Sequence, residues 1–150
     1  MIFLNNIVSL QEENASLQAE LDCYENPQIG DYCFGGIVFY VDSTGQHGLV
    51  AGLEDLQVTY QWDSAVQGAL DYESNGFDDW YLPSIDELEL IYNTIGHGGL
   101  EGNIGSFETA FYWSSSDDSN YSSWGVVFGN GYTASNDNNN LGRVRVIRAF

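Results

Sequence analysis

The sequence contains no lysine, and its three arginines, Arg143, Arg145 and Arg148, all lie within the last eight positions. The chain has 22 aspartate and glutamate residues, so its formal net charge at pH 7 is −19. Proteins that bind nucleic acids carry a basic surface, and sulfated polysaccharides and anionic membranes attract the same sign of charge. The charge balance therefore argues against all three classes of partner.

Long apolar runs are missing as well. A helix that crosses a bilayer needs about 20 predominantly apolar residues, and no stretch of this chain approaches that length. The opening MIFLNNIVSL also lacks the basic start and the small-residue cleavage site of a secretory signal peptide. We therefore expect no membrane span. A protein destined for an extracellular site would then need another route, such as assembly into a virion and release by lysis, and a processed or truncated N-terminus would explain the missing signal equally well.

The motifs of the common enzyme classes are absent too. The chain has no nucleophile elbow, P-loop, dinucleotide fingerprint, zinc-protease motif or EF-hand loop. Its two histidines, His47 and His97, both lie next to glycine at turn edges, where a turn or capping role is the commoner one. Carboxylate pairs are abundant, but 22 acidic residues in 150 produce such pairs by chance. The sequence predicts a protein that is not an enzyme and requires no cofactor.

Only two cysteines are present, Cys23 and Cys33, separated by the turn-forming stretch NPQIG. Their spacing permits a disulfide, and it equally permits two free thiols in a reducing compartment. It does not match a C-x-x-C or zinc-binding pattern, which argues against thiolate coordination of a metal.

The first 26 residues carry an apolar repeat with alternating steps of four and three. Such a narrow stripe predicts the seam of a coiled coil, and a polar residue at one a position commonly fixes register and oligomeric state. The alternative is an amphipathic helix that packs on its own head domain. The seam has Ile7, Asn14 and Leu21 at a, and Phe3, Leu10, Leu17 and Tyr24 at d. This seam does not decide between a dimer and a trimer, and a homotrimer is favoured over a homodimer only by analogy with fibres and with the family that the head resembles.

Residues 27–150 read as a separate α+β head domain. GIVFYV and HGLVAGL predict two early strands, and two helices follow them. The spacing of Ser64 and Gln67 suggests a capping box for the first helix, and that of Ser84 and Glu87 predicts one for the second. After a glycine-rich loop, AFYWSSS, a hairpin that turns at GNG, and GRVRVIRAF predict further short strands.

Four segments in this order, IGDYCFGGIVFYVDSTGQHGLVA, WYLPSIDELELIY, YWSSS and RVRVIRAF, resemble the C-terminal domain family of Legionella collagen-like adhesins. The resemblance covers roughly residues 28–150, and related domains occur in bacterial surface and phage proteins. It implies a C-type lectin-like head with short antiparallel strands, in which the N- and C-terminal strands pair, two helices flank them and a loop-rich second sheet carries the ligand face. By the same resemblance, Arg145 and Arg148 pair with buried or semi-buried carboxylates, and five residues are scaffold: Trp80, Leu82, Pro83, Trp113 and Ser114.

Two features depart from what this resemblance implies about ligands. The E-P-N or Q-P-D tripeptide and the W-N-D signature of calcium-dependent lectins are absent, and the chain has WSSS instead. The head is also strongly acidic, whereas adhesins that bind sulfated glycans do so with basic surfaces. The resemblance therefore supports the fold more firmly than it supports a particular ligand.

Residues 112–140 contain two polar segments, DDSNYSS and GNGYTASNDNNN, whose tyrosine, serine and asparagine content is similar to that of antibody paratopes. We predict that they form ligand-binding loops, with contacts from Asp118, Asn120, Tyr121, Asn130, Tyr132, Asn136 and Asp137. Trp124, Val126 and Phe128 share one strand face and are interpreted as scaffold. Hard oxygen ligands suited to calcium are supplied by Asp117, Asp118, Asp137 and Asn139, although solvated loop acids are the commoner explanation.

The sequence therefore favours a non-enzymatic, oligomeric binding or display protein at a virion surface or in the extracellular space. A phage fibre tip or a capsid decoration protein fits its size, with lectin-like heads that bind cell-surface glycans or other receptors. Its partners would be further copies of itself, an anchor protein on the virion or cell, and a glycan. A purely structural virion assembly protein and a bacterial surface adhesin remain the alternatives.

Overall fold

The computed structural model describes all 150 residues and shows an α+β chain with two antiparallel sheets. Three helices and seven strands follow one another in the order α1 (Ile2–Glu25), β1 (Tyr32–Cys33), β2 (Gly36–Val41), β3 (Gly48–Ala51), α2 (Trp62–Leu70), α3 (Ile85–Thr94), β4 (Phe111–Ser119), β5 (Ser122–Val127), β6 (Tyr132–Asp137) and β7 (Ile147–Ala149).

Helix α1 forms the N-terminal stem. It ends at Glu25, where the backbone N–H of Asn26 bonds to the carbonyl of Asp22 and Pro27 follows. Cys23 is the only buried residue of the helix. The interpretation of α1 as an amphipathic helix packed along its own head therefore does not describe this structure, because the apolar stripe stays uncovered.

The first sheet has the strand order β1-β2-β3-β7. As the continuous apolar run of β2 predicts, its first four residues are buried. The last strand of the chain pairs antiparallel with β3, and Leu49 lies opposite Ala149. This pairing joins the C-terminus to the early strands of the head, as the family resemblance implied.

Helix α3 confirms its predicted start. The Ser84 hydroxyl accepts a hydrogen bond from the Glu87 N–H, and the Glu87 carboxylate accepts one from the Ser84 N–H. The stripe on this helix is buried at Leu88 and Ile91 and continues to Ile95, directly after the helix. This stripe anchors α3 against the sheets.

Helix α2 begins earlier than its sequence suggests. Its N-cap is Gln61, which makes no side-chain cap, so the capping box predicted from Ser64 and Gln67 is wrong. Its buried positions are Ala65 and Ala69. These small side chains let the helix approach the sheet closely.

The second sheet is the antiparallel meander β4-β5-β6. The predicted hairpin is confirmed, and its turn lies between Val127 and Tyr132. Gly131 adopts a φ of 76°, and a Cβ atom at this position would lie 2.5 Å from the Tyr92 ring. Glycine is therefore required here both by the backbone conformation and by the neighbouring side chain.

Two buried clusters hold the sheets and helices together. One surrounds Trp80 and Trp113 beside α2, and the other surrounds Leu88, Tyr112 and Phe128 beside α3. The residues assigned a scaffold role by the resemblance are all buried, namely Trp80, Leu82, Pro83, Trp113 and Ser114. None of the three helices combines the length and the apolar character that a membrane crossing needs.

Candidate ligand-binding face

The second sheet places the predicted ligand residues at two opposite ends. The β4–β5 end holds five of them, Asp118, Asn120, Tyr121, Asn136 and Asp137, because Ser122 lies opposite Asp137. The β5–β6 end holds the other two, Asn130 and Tyr132. Strand β6 joins the two ends and runs from Tyr132 to Asp137. At about 3.3 Å per residue, its length separates them by about 17 Å.

This separation exceeds the size of a single sugar ring. The seven residues therefore do not surround one small ligand, and the β4–β5 end, which holds most of them, is the stronger candidate. The stretch from Tyr132 to Asp137 is also a paired strand, although part of it was interpreted as a loop.

A serine–carboxylate cluster, formed by Asp118, Ser119, Ser122 and Ser135, orders the β4–β5 end. The Asp118 Oδ2 accepts hydrogen bonds from the Ser122 Oγ at 3.1 Å and from the Ser135 Oγ at 2.7 Å. The Ser119 and Ser122 hydroxyl oxygens lie 2.8 Å apart. Because β5 lies between β4 and β6, the bond from Ser135 to Asp118 passes over β5. These bonds fix hydroxyls and a carboxylate on one surface.

The turn after β6 is tied to the start of α2. The Trp62 N–H donates to the Asn138 carbonyl at 3.0 Å, and the Gln61 side-chain amide donates to the Asn139 carbonyl at 3.0 Å. Within the turn, the Asp137 Oδ1 accepts from the Asn139 N–H at 2.8 Å. The NDNNN segment is therefore an ordered turn next to the β4–β5 end.

The four residues predicted as calcium ligands are spread over this end. Asp117 lies opposite Ser123, Asp118 bonds to serines, and Asp137 bonds to Asn139. No group of three or more acidic, histidine or cysteine side chains is placed to hold a metal ion. Asp117, Asp118 and Asp137 thus do not converge as a calcium site requires.

All three arginines are engaged inside the chain. The Asp55 carboxylate pairs with the Arg145 Nε at 2.8 Å and with Arg143 at 3.3 Å, and Arg148 pairs with Asp79 at 2.6 Å. The expected pairing of Arg145 and Arg148 with carboxylates is confirmed. Because the chain has no lysine, no unpaired lysine or arginine side chain is left to bind an anionic ligand.

Three residues outside the predicted ligand set have shifted pKa values in the folded chain. Burial, followed by the adjacent Asp55 carboxylate, raises the pKa of Tyr112 well above its usual range. Burial, followed by the charge of Glu87, raises the pKa of Tyr81 to about 12. The hydrogen bond from Arg148 lowers the pKa of Asp79. None of the three residues belongs to the serine–carboxylate cluster.

The two histidines stand apart from these carboxylates. His47 is exposed in the turn before β3. His97 is exposed after α3, and its Nε2 lies 3.3 Å from the Asn103 side-chain nitrogen. Neither histidine lies in the serine–carboxylate cluster.

The heptad seam of α1 is uncovered in the single chain. Its six apolar members, Phe3, Ile7, Leu10, Leu17, Leu21 and Tyr24, are between 45 % and 83 % exposed. Asn14, the polar member, is exposed among them. Only the end of the seam contacts the head, where the Tyr24 ring packs edge-on against the Phe34 ring with 4.7 Å between the ring centroids.

The structure joins Cys23 of α1 to Cys33 of β1 through a disulfide. The two Cα atoms lie 6.3 Å apart, and both residues are buried. This link fixes the last turn of the stem to the first strand of the head. A cleft of about 840 Å³ opens beside it, lined mostly by polar residues that include Glu20, Asp22 and Asp31. Ligand pockets are mostly apolar, so we interpret this cleft as the gap between stem and head.

Trp124 was interpreted as scaffold, and the structure gives it different surroundings. Val126 and Phe128, its companions on the strand face, are fully buried, whereas Trp124 is partly exposed and joins neither buried cluster. Its partner across the sheet is Ser135, a member of the serine–carboxylate cluster. The signal in the sequence is the change from the polar SSW to the apolar VVF within SSWGVVF, which marks where the apolar face begins.

A family model described as the Lcl C-terminal domain matches residues 42–148, which is more than two thirds of the chain. The matched range contains the whole second sheet, and β3 and most of β7 from the first sheet, and it excludes α1, β1 and β2. No curated protein matches the sequence.

Proposed function

The chain belongs to the Lcl C-terminal domain family, and on that basis we propose that it is a non-enzymatic, adhesin-like surface protein. Its head, residues 27–150, presents the β4–β5 end of the second sheet to a ligand on another surface. Its stem, residues 1–26, assembles several copies into a coiled coil. A homotrimer is the form that fibre-like proteins suggest. A cell surface and a virion surface, as a fibre tip or decoration protein, are the two settings in which it would act.

The uncovered seam of α1 is the observation that carries this proposal. Six large apolar side chains in heptad spacing lie on a helix whose only buried residue is Cys23. Such a stripe is stable in water when it packs against another copy of itself. Asn14 at an a position supports this interpretation, because a buried asparagine selects one register at some cost in stability.

The acidic stem needs further contacts between the heads to hold the assembly together. The positions that flank the seam hold Glu13, Gln18, Glu20 and Glu25. Because the stem has no lysine or arginine, no interhelical ion pair can form at these positions. About three heptads with a polar a residue make a weak coiled coil. We therefore place additional contacts between copies near the stem–head junction, where the disulfide holds the helix against β1.

A C-type lectin-like fold is part of the proposal. It is supported by the pairing of β7 with β3, by the two helices α2 and α3, and by a separate sheet that carries polar turns. In this fold the second sheet is the expected place for a ligand, which agrees with the ordered polar groups at the β4–β5 end.

Binding measurements on the intact chain test the function. Labelled protein is applied to immobilised mucin, bacterial cell envelopes and heparin. We expect binding to mucin or envelopes and none to heparin, because the chain has no lysine and all three arginines are paired. If neither mucin nor envelopes retain the protein, while it still assembles, the protein has a structural role and the proposed binding function is wrong.

A seam variant tests whether several heads act together. Leu10→Asp places a charge at a d position, and Ser9→Asp places the same charge beside it, outside the seam. Linking binding modules raises the apparent affinity by about 10²–10⁴. Leu10→Asp should therefore lose about that factor and Ser9→Asp should lose little. If Leu10→Asp and Ser9→Asp bind the immobilised surfaces with equal affinity, multivalent display is contradicted.

A further inference from the structure

Trp124 differs from the other three tryptophans of the chain. The indole N–H groups of Trp62, Trp80 and Trp113 each donate a hydrogen bond to a backbone carbonyl. Trp124 makes no such bond, and its nitrogen is not among the buried polar atoms that lack a partner. It is also the only tryptophan that neither belongs to a buried cluster nor packs against one. A large aromatic ring with a free, accessible donor is a common feature of binding surfaces.

The sheet register places this ring beside the serine–carboxylate cluster. Residues directly opposite each other on paired strands share a face, and Trp124 lies opposite Ser135. The Ser135 hydroxyl bonds to Asp118 across β5, and Ser122, two residues before Trp124, bonds to the same carboxylate oxygen. The indole, two hydroxyls and a carboxylate therefore occupy one surface at the β4–β5 end.

The backbone holds this surface in place. The Ser114 hydroxyl, which is fully buried, donates to the Trp124 carbonyl at 2.6 Å. Farther along the same face, Val126 is buried under α3, and Thr133 donates a hydrogen bond to Glu89 of that helix. A site built on paired strands needs little ordering when a ligand arrives, and this lowers the entropic cost of binding.

The chemistry of these groups defines a class of ligand. The indole N–H donates and the free Asp118 Oδ1 accepts, whereas the Ser122 and Ser135 hydroxyls, whose hydrogens already go to Asp118, can accept a further hydrogen bond. An alcohol needs both kinds of partner, whereas an ammonium group only donates and would leave the indole N–H unmatched. An anionic group would face the Asp118 carboxylate with no arginine free to balance it. The aromatic face, which is negative, complements the C–H groups of a sugar ring.

We propose that Trp124, Asp118, Ser122 and Ser135 form a binding site for an uncharged sugar. In this site a pyranose ring lies against the indole face, and its hydroxyls bond to the Asp118 carboxylate and the indole N–H. The inference rests on the proposed binding function and specifies its ligand class. Tyr132 and Asn130 lie at the other end of the sheet and take no part in the site.

An oligosaccharide array and fluorescence titration test this site in the intact chain. The array carries uncharged hexose and N-acetylhexosamine oligomers, sialylated and sulfated oligomers, and the cationic oligomer of glucosamine. We expect the wild-type chain to bind at least one uncharged oligomer and neither charged class. The indole emission should change on binding, because Trp124 is partly exposed.

Variants then assign the binding to these residues. Trp124→Ala should weaken the affinity about thirty-fold, as loss of a hot-spot side chain does, and Trp124→Phe should weaken it less. Asp118→Asn and Ser135→Ala should also weaken it. Tyr132→Ala, the matched control at the β5–β6 end, should leave it unchanged. Because Trp124 lies outside both buried clusters, all variants should keep the far-UV circular dichroism of the wild type.

Two results would overturn the proposal. One is that no uncharged oligomer binds at millimolar concentration, or that only a charged class binds. The other is that Trp124→Ala retains the wild-type affinity. If Trp124→Ala still binds mucin or envelopes as the wild type does, this sugar site is wrong while the proposed binding function stands. If the wild type itself binds neither, the proposed function fails first.

Discussion

The buried charge cluster around Asp55 makes a quantitative prediction about stability. The Asp55 carboxylate accepts hydrogen bonds from the Arg145 Nε at 2.8 Å, the Tyr112 hydroxyl at 2.7 Å and Arg143 at 3.3 Å. Only 2 % of the Arg145 side chain is exposed. Asp55→Asn preserves the shape of the side chain and removes its charge, so the Arg145 guanidinium stays buried without a counter-charge.

The loss of stability in Asp55→Asn depends on the contacts that Arg145 keeps. Removal of one partner from a buried ion pair costs about 3–5 kcal/mol. Arg145 keeps hydrogen bonds to the carbonyls of Gly52 and Gly105 and its contact with the Phe107 ring, 4.1 Å from the ring centroid. We therefore expect the lower end, about 3 kcal/mol. At about 2–4 °C per kcal/mol for a chain of this size, the Tm should fall by roughly 6–12 °C.

Urea unfolding followed by tryptophan fluorescence, together with scanning calorimetry, measures both quantities at one protein concentration. The matched control is Asp78→Asn, which removes an exposed carboxylate with no hydrogen-bond partner in the chain. It should change the free energy of unfolding by less than about 0.5 kcal/mol. If Asp55→Asn behaves like this control, the buried pair does not contribute as we argue.

Further predictions concern pH, the disulfide and calcium. The pKa of Tyr112 is raised in the folded chain, so its contribution to stability is present below its ordinary pKa of 10.0 and is lost as the pH rises beyond it; Tyr112→Phe should flatten that alkaline loss in urea titrations. The pKa of Asp79 is lowered, so stability should fall as the pH drops below 3.8, and Asp79→Asn should reduce this acid dependence. Replacing Cys23 and Cys33 by serine should lower the free energy of unfolding by about 2–4 kcal/mol, and an unchanged urea midpoint would argue against the bond. Calcium at millimolar concentration should leave the Tm unchanged, and a rise would reveal a site that the carboxylates do not form here.

Local signals in the sequence predicted the elements whose formation is local. The capping box at Ser84 and Glu87 marked the start of α3, and the apolar run from Gly36 marked β2. The pairing of Arg145 and Arg148 with carboxylates came from the family resemblance rather than from a local signal, and the structure confirms it. In α2 a serine and a glutamine at the right spacing suggested a cap, but packing set the start of the helix at Trp62.

The arrangement of the candidate site depends on strand register, which the sequence does not reveal. Asn130 and Tyr132 are close in sequence to Asn136 and Asp137, yet β6 carries the two pairs to opposite ends of the sheet. Trp124 follows the same alternation as Val126, but α3 covers only the latter. Tertiary packing decides which part of a strand face a helix covers. An aromatic residue in a binding site and one in the core therefore give the same pattern in the sequence.

Sedimentation equilibrium of the intact chain tests the central claim, assembly of several heads through the α1 seam. We expect a mass of three times 16.6 kDa at micromolar concentration, and a single chain mass for Leu10→Asp. A mass of two chains would correct the stoichiometry and keep the assembly. A wild-type monomer at micromolar concentration would contradict the account, because the exposed seam would then have no partner.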